Sequence, residues 1–506
     1  MSSQTESAIT TRNVLAARAL VLLFQLTVSL VLIGCRSLQS TPSAAPAALS
    51  EQNINLIFVA SPDLANQGLG DVQADTANLT PQGLNRSLLI ASYLKQQVLG
   101  AKNVTSIYAL APMTHLQTSN HYPDMTAVGY IQPFGLLNQE TLRLDAAPNG
   151  PTYTANTQAL KVAYSSPESL PSGVAAPKFG YSANCSGLDF FNRGGCNDTL
   201  VSRIIDRKMA GFHVFSAPWE TIHDLLINTN TRNRYGLKNP SKYMGPNYIY
   251  AISIAPSGSA ELVTYNSRLN PAVTYPLLPS PVTSEACTHA LQDAFSAKRT
   301  GGVDGVTVPA NINRNQTVYL VRHAEAHPDA TFAFENGNFV AAGQWRALGL
   351  PAALEGRMSP QVVYSVDPSQ WFTAPLSKED VSYVRTSLTV LPYAIAKNLP
   401  YHLVSGFSLF EPDVARLASQ YFFTGGKFSG QTVLLAWESQ RIIPLIKALL
   451  DSYGGSYVSP LPAHWRGDDY NTIWTVRFDA QGNLTVDNDR CEGIDSAKLP
   501  DTAPRF

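Results

Sequence analysis

The chain has 506 residues, with 36 Lys and Arg against 37 Asp and Glu and a formal net charge of −1. That length exceeds one ordinary hydrophobic core, so two domains of a couple of hundred residues each are expected. Charged residues make up only 14% of the chain, so no global field draws nucleic acid or anionic lipid, and binding chemistry must be local.

In chain order, the first element is an almost uncharged run at 19–34, preceded by Arg12 and Arg18. It is shorter than the ~20 residues that comfortably cross a bilayer as a helix, and it reads as a targeting segment. It ends in Leu32-Ile33-Gly34-Cys35, which resembles the lipobox of bacterial lipoproteins. The resemblance implies a signal peptide at 1–35, acylation of Cys35, and a folded part that faces the periplasm as a membrane-anchored envelope protein. Arg36, in place of Asp after the cysteine, resembles cargo sent to the outer membrane. An uncleaved signal anchor would also place the folded part outside the cytoplasm, and that alternative stays open. Residues 36–50 are rich in Ser, Pro and Ala without apolar periodicity, the composition of a flexible tether.

If Cys35 carries lipid, the remaining cysteines are Cys185, Cys196, Cys287 and Cys491, an even number in an oxidising compartment. A local Cys185–Cys196 bridge would clip the loop between them and leave Cys287 to pair with Cys491; free buried thiols are the alternative. No Cys or His pair has metal-ligand spacing, so neither a metal nor another cofactor is expected.

From residue 51 onward the same landmarks occur twice in the same order. Leu56-Ile57-Phe58-Val59-Ala60-Ser61-Pro62-Asp63 lines up with Val318-Tyr319-Leu320-Val321-Arg322-His323-Ala324-Glu325, both short apolar strands running into a polar turn. Helix-like stretches follow, with Gly83 and Arg86 matching Gly343 and Arg346. The segment 106–112 parallels 362–368, and Ala217-Pro218-Trp219-Glu220-Thr221 parallels Leu435-Ala436-Trp437-Glu438-Ser439. A closing strand, Asn247-Tyr248-Ile249-Tyr250, parallels Asn471-Thr472-Ile473-Trp474. Strands alternating with helical patterns indicate an α/β fold: two tandem domains, each a mostly parallel sheet flanked by helices. The expected boundaries are 51–290 for the first domain, with an insertion near 138–201, then a linker at 291–310 and the second domain at 311–506.

In the second copy, Arg322-His323-Ala324-Glu325 at a strand end is similar to the signature of the histidine phosphatase (phosphoglycerate mutase-like) superfamily. The resemblance implies that His323 attacks a phosphoryl group to form a phosphohistidine, and that Arg322 is the first clamp on its oxygens. The residue types suit the chemistry, since imidazole is a neutral nucleophile near pH 7 and guanidinium offers paired donors. Arg385, in Arg385-Thr386-Ser387, matches the second clamp, and Glu411 stands where one branch keeps its general acid, with Asp413 behind it. Glu325, Ser439 and His464 are further candidates for substrate binding. Thr432 to Pro444 matches a subgroup written W-E-H before an I-P-containing helix, but with Ser439 in place of the second histidine. Serine cannot carry positive charge, so transition-state stabilisation should fall by ~2–4 kcal/mol unless something compensates. His327 or His464 could supply an imidazole from another direction.

The first copy departs further. Ala60 and Ser61 stand where the arginine and the nucleophile belong, Thr126 near the second arginine's place, and Thr221 in place of the second histidine. No phosphohistidine can form there. Two functions remain open: hydrolysis of phosphate monoesters through His323, or a pseudophosphatase acting as a phospholigand-binding or scaffold protein. The expected partners are a phosphorylated small molecule or phosphoprotein and, through the anchor, a membrane; nucleic acid is not expected.

Overall fold

In the computed structural model the described residues are 46–66, 70–143, 152–156, 158–162, 185–280, 282, 285–287, 294–326, 335–373, 380–404, 413–455 and 460–506. The first half contributes β1 (Ile54–Ala60), α1 (Pro81–Tyr93), β2 (Ser106–Ala109), the short β3 (Leu116–Gln117) and β4 (Tyr122–Pro123), and α2 (Thr126–Leu136). The β5 (Gln139–Arg143) and β6 (Thr152–Asn156) hairpin, β7 (Leu160–Lys161), α3 (Cys196–Asp206), β8 (Gly211–Ala217), α4 (Trp219–Asn233), β9 (Tyr248–Ile254) and β10 (Ala260–Asn266) complete it. The second half contains β11 (Ser296–Arg299), β12 (Thr317–Arg322), α5 (Ala341–Ala353), β13 (Val362–Val366), β14 (Trp371–Thr373), β15 (Asp380–Ser382) and α6 (Arg385–Lys397). It ends with β16 (Tyr401–Val404), α7 (Val414–Phe423), β17 (Thr432–Trp437), α8 (Ser439–Tyr453), β18 (Thr472–Phe478) and β19 (Leu484–Cys491).

Two large sheets result. The first has six strands in the order β10-β9-β1-β8-β2-β7, the second seven in the order β11-β19-β18-β12-β17-β13-β16. Apart from β11, the second order repeats the first position for position. In each sheet the central strands are parallel and the last hairpin is antiparallel to them. The duplicated α/β plan is therefore visible in topology as well as in the landmarks.

Pairing register corrects one landmark. Ala60 pairs with Ala217 and Arg322 with Trp437, and the following helices begin at Trp219 and Ser439. Trp219, not Thr221, therefore occupies the place of Ser439. The shared Trp-Glu dipeptide misled the alignment because it falls two residues apart in the two copies.

Side chains alternate across each strand, as a period of two requires. In β1, Leu56, Phe58 and Ala60 face α3 and α4, while Ile57 and Val59 face α1 and α2. In the second sheet Val433 and Leu435 face α7 and α8, while Leu434 and Ala436 face α5 and α6. The inner helices of both halves merge into one apolar cluster in which Leu84 and Val128 join Leu348 and Leu391. The order of layers is thus helices, sheet, helices, helices, sheet, helices, and residues 47–506 form one compact unit. Further contacts between the halves run from α1 to α6, from β4 to β16 and from β7 to β15.

Register in the inner helices is held by the glycine and arginine shared by the copies. A Cβ on Gly83 would lie 2.1 Å from the Asp71 carbonyl oxygen, and one on Gly343 would lie 2.8 Å from that of Glu325. Arg86 and Arg346 are both buried within ion pairs. Disulfides join Cys185 to Cys196, with Cα atoms 5.2 Å apart, and Cys287 to Cys491, with Cα atoms 5.5 Å apart.

Candidate active site

Parallel β12 and β17 end side by side, which brings the residues after them to the carboxyl edge of the sheet, where open α/β folds build their ligand sites. Arg322 is the last residue of β12 and pairs with Trp437. One step further along each strand stand His323 and Glu438, and Ser439 then opens α8. Arg385 opens α6, whose first turn is tied to the same edge: Thr389 Oγ1 accepts from the Ala324 backbone N–H at 2.8 Å and donates to the Arg385 carbonyl at 2.7 Å.

His323 is 3% exposed. Its Nδ1 lies 2.7 Å from the Ala324 carbonyl oxygen, an acceptor only, so the neutral ring carries its proton on Nδ1 and leaves the Nε2 lone pair free. Tyr383 and Tyr470 meet the ring edge-on, with centroids 6.1 and 6.0 Å away. Burial, then the charges of Arg385 and Arg322, hold its pKa well below the usual imidazole range. The residue is thus a neutral base or nucleophile at pH 7.

The two arginines are held differently. Arg322 Nη1 lies 3.1, 2.9 and 2.9 Å from the carbonyl oxygens of Arg466, Gly467 and Asp469, and its guanidinium stacks 4.0 Å from the Tyr470 ring centre. Arg385 Nη1 donates to both oxygens of Glu335, at 2.7 and 2.9 Å, and its guanidinium lies 4.5 Å from the Tyr383 ring centre. On both side chains the Nε–H is buried without a hydrogen-bond acceptor. Burial opposes the charge on Arg385, but Glu335 and Tyr383 outweigh it and keep the group protonated.

Ser439 Oγ donates to Glu438 Oε1 at 3.1 Å, and both residues are buried. Burial raises the Glu438 pKa above the ordinary carboxyl value, against the opposing pull of the Gln440 backbone N–H, then Arg385, Ser439 and Arg322. Sequence reasoning quoted Glu438 as part of a motif but gave it no role. It also missed Glu335, Tyr383 and Tyr470, whose approach to the site depends on loops far away in the chain.

Other expected site residues lie elsewhere. Glu325 was expected to bind substrate, but its carboxylate instead takes bonds of 2.7–3.0 Å from Arg346 and one of 2.7 Å from Ser496. Burial works against its ionisation, yet Arg346 brings its pKa below the ordinary value. Arg346 also reaches Glu492 at 2.6 Å, so this cluster anchors α5 to the end of the chain. His464 is exposed, and no described contact joins it to His323. Asp413 is exposed and pairs with Arg416. Glu411, His327 and Cys35 lie outside the described residues. Among the described residues no group of three or more His, Cys, Asp or Glu could hold a metal ion.

The matching edge of the first sheet carries the opposite charge. Ala60, Ser61 and Thr126 replace the two arginines and the histidine, while Asp63 and Asp124 are buried there and His115 Nδ1 lies 2.8 Å from Asp124. Burial chiefly, then Glu220 and Asp124, push the Asp63 pKa up to about 6 although the Asn66 backbone N–H opposes them. An anion gains nothing from such a surface. The first half nevertheless reaches the second site: Val162 N donates to Ser382 Oγ at 3.0 Å and Asn336 Nδ2 to the Asn156 carbonyl at 2.9 Å. Ser382 precedes Tyr383, and Asn336 lies between Glu335 and Gly337.

No family model and no curated protein matches the sequence. Among solved structures, a weak neighbour is a protein assigned as the phosphohistidine phosphatase SixA from Nakamurella multipartitia. It covers 39% of this chain and 96% of its own length at 15% identity, with a TM-score of 0.21.

Proposed function

We propose that the second copy, residues 311–506, is a phosphate-monoester site in which Arg322 and Arg385 clamp the phosphoryl oxygens while His323 Nε2 attacks phosphorus. Water then hydrolyses the phosphohistidine. The observation that carries this reading is one neutral buried histidine with its Nε2 free, set beside two buried arginines that each keep an unpartnered Nε–H. A buried donor left without an acceptor costs ~1–3 kcal/mol, and phosphoryl oxygens are strong acceptors for guanidinium. The first copy, residues 51–290, is the non-catalytic partner in this reading. The test is phosphate release from a panel of monoesters at pH 5–8 by the full-length chain beside His323→Ala. Loss of ~100-fold or more is expected from removing a covalent nucleophile, and equal rates for the two proteins would sink the reading.

A second reading rests on Ser439 and on the Glu335 carboxylate that engages Arg385. Here the site binds a phospholigand without turning it over. Wild-type protein would then titrate with inorganic phosphate in a calorimeter while releasing none from any monoester.

A lipid anchor at Cys35, holding the folded part on the periplasmic side of the envelope at the outer membrane, belongs to the same proposal. No helix among the described residues is long and apolar enough to cross a membrane. Cys35→Ser is expected to move the chain from the membrane fraction to the soluble fraction, whereas retention of the variant on membranes would favour a signal anchor.

A further inference from the structure

We propose that Glu438 is the proton donor and acceptor of this site, serving the leaving-group oxygen in the first half-reaction and the attacking water in the second. The assignment rests on the reading of His323 as nucleophile. It supplies a proton-transfer group from the strand next to that of the nucleophile, a role separate from the positive charge that Ser439 cannot carry.

Placement is the first argument. Arg322 and Trp437 are paired in register on adjacent parallel strands, so His323 and Glu438 are the next residues on two chains that run ~5 Å apart. The nucleophile and the carboxyl therefore leave the sheet at the same level, and Arg322 and Arg385 act on both. Burial is the second. Glu438 is 8% exposed and Ser439 is 7% exposed, and the bond from Ser439 Oγ to Oε1 helps to fix the carboxyl. The serine is thus a positioning residue for the acid.

Charge is the third argument. The charged and titratable groups that act on Glu438 are Arg385 and Arg322, and Glu438 in turn acts on Tyr383. Burial raises the pKa of the carboxyl and outweighs both cations. A phosphoryl dianion between the two arginines neutralises that cationic influence and adds like charge, so binding of substrate favours the protonated carboxyl further.

The step balances as follows. The Nε2 lone pair of His323 forms the N–P bond, the P–O bond to the leaving group breaks with its electron pair on oxygen, and that oxygen takes the proton of Glu438. Water then attacks phosphorus and gives its proton to the Glu438 carboxylate, the N–P bond breaks, and its electron pair returns to Nε2. Inorganic phosphate leaves and both residues are restored.

The test compares Glu438→Gln and Glu438→Asp with wild type, all as the full-length chain. The substrates are p-nitrophenyl phosphate, whose leaving group needs no proton, and glycerol phosphate, whose alkoxide does. Glu438→Gln is expected to lower kcat/KM, which reports the steps up to leaving-group departure, by ~100-fold or more on glycerol phosphate and by less than ~10-fold on p-nitrophenyl phosphate, while kcat falls on both because they share the phosphohistidine hydrolysed in the second half-reaction. Glu438→Asp should recover part of the loss, and inorganic phosphate should inhibit all three proteins alike, which reports a folded site. Equal losses of kcat/KM on the two substrates would mean that the residue only supports the start of α8 and would overturn the assignment. Wild-type turnover left intact by Glu438→Gln overturns the assignment alone, whereas a wild-type chain silent on both substrates overturns it together with the reading of His323.

Discussion

Asp63 and Glu325 stand at the same place after the first strand of each copy, and their fates differ through one arginine. Arg346 turns to Glu325, whereas its counterpart Arg86 bonds Asp71 and Asn247 at 2.7 Å each and leaves Asp63 without an arginine. With its pKa pushed up to about 6 from 3.8, Asp63 contributes stability that is complete below pH 3.8 and is lost as pH rises through about 6. Asp63→Asn should therefore stabilise the fold by on the order of 2–3 kcal/mol at pH 8 and by almost nothing at pH 3.5. Urea unfolding at the two pH values checks this, and an equal shift at both would show that the charge is not the cause. At this scale the sequence was legible where chemistry is local to a motif. Arg322, His323, Arg385 and Ser439 meet because their motifs end adjacent strands or open helices. Glu335 and Tyr470 join them from loops whose course no short-range pattern encodes.

Elements explain how the site is held. Gly337 has φ +73°, and a Cβ there would lie 1.9 Å from the Ser382 carbonyl oxygen; its own carbonyl accepts from Arg385 N at 3.0 Å. This glycine lets the segment after Glu335 press against the strand that leads into α6, and so places the second arginine. Gly337→Ala should cost ~1–3 kcal/mol of stability through strain at a special backbone position. It should also weaken inhibition by inorganic phosphate by roughly tenfold, about 1.4 kcal/mol. A competition assay beside a thermal melt separates the two effects, and unchanged inhibition would show that Arg385 is placed by α6 alone. Sequence periodicity located β1, β2, β9 and their counterparts because each is apolar and bounded by polar turns. It misplaced the start of α4 relative to α8, since a shared Trp-Glu pair outweighed strand register, which only pairing reveals. The strand β11 escaped notice within the expected linker because Ser296–Arg299 is too short and polar to stand out.

At the scale of the whole molecule, α1, α2, α5 and α6 are buried against one another, which no pattern within the sequence announced. Their shared cluster and the Cys287–Cys491 disulfide tie the segment between the halves to the last strand of the second sheet. With its cysteines 204 positions apart in the chain, this bridge constrains the unfolded chain strongly. The double variant Cys287→Ser, Cys491→Ser should lose about 2–4 kcal/mol in denaturant titration under oxidising conditions. Reductant added to wild type should cost at least as much, because it also opens Cys185–Cys196, and if the double variant matched oxidised wild type the Cys287–Cys491 bridge would not form in solution.

The layered arrangement also separates what the two halves share from what they do not. They differ at their strand ends, where Ala60, Ser61 and Thr126 stand in place of Arg322, His323 and Arg385. They meet along Leu84 and Val128, which share a core with Leu348 and Leu391, and through the arm in which Val162 and Asn156 bond Ser382 and Asn336. A change in that arm is therefore felt at Tyr383 and Glu335 across the molecule, and the half that lacks the Arg-His pair serves as part of the frame on which its sibling is assembled.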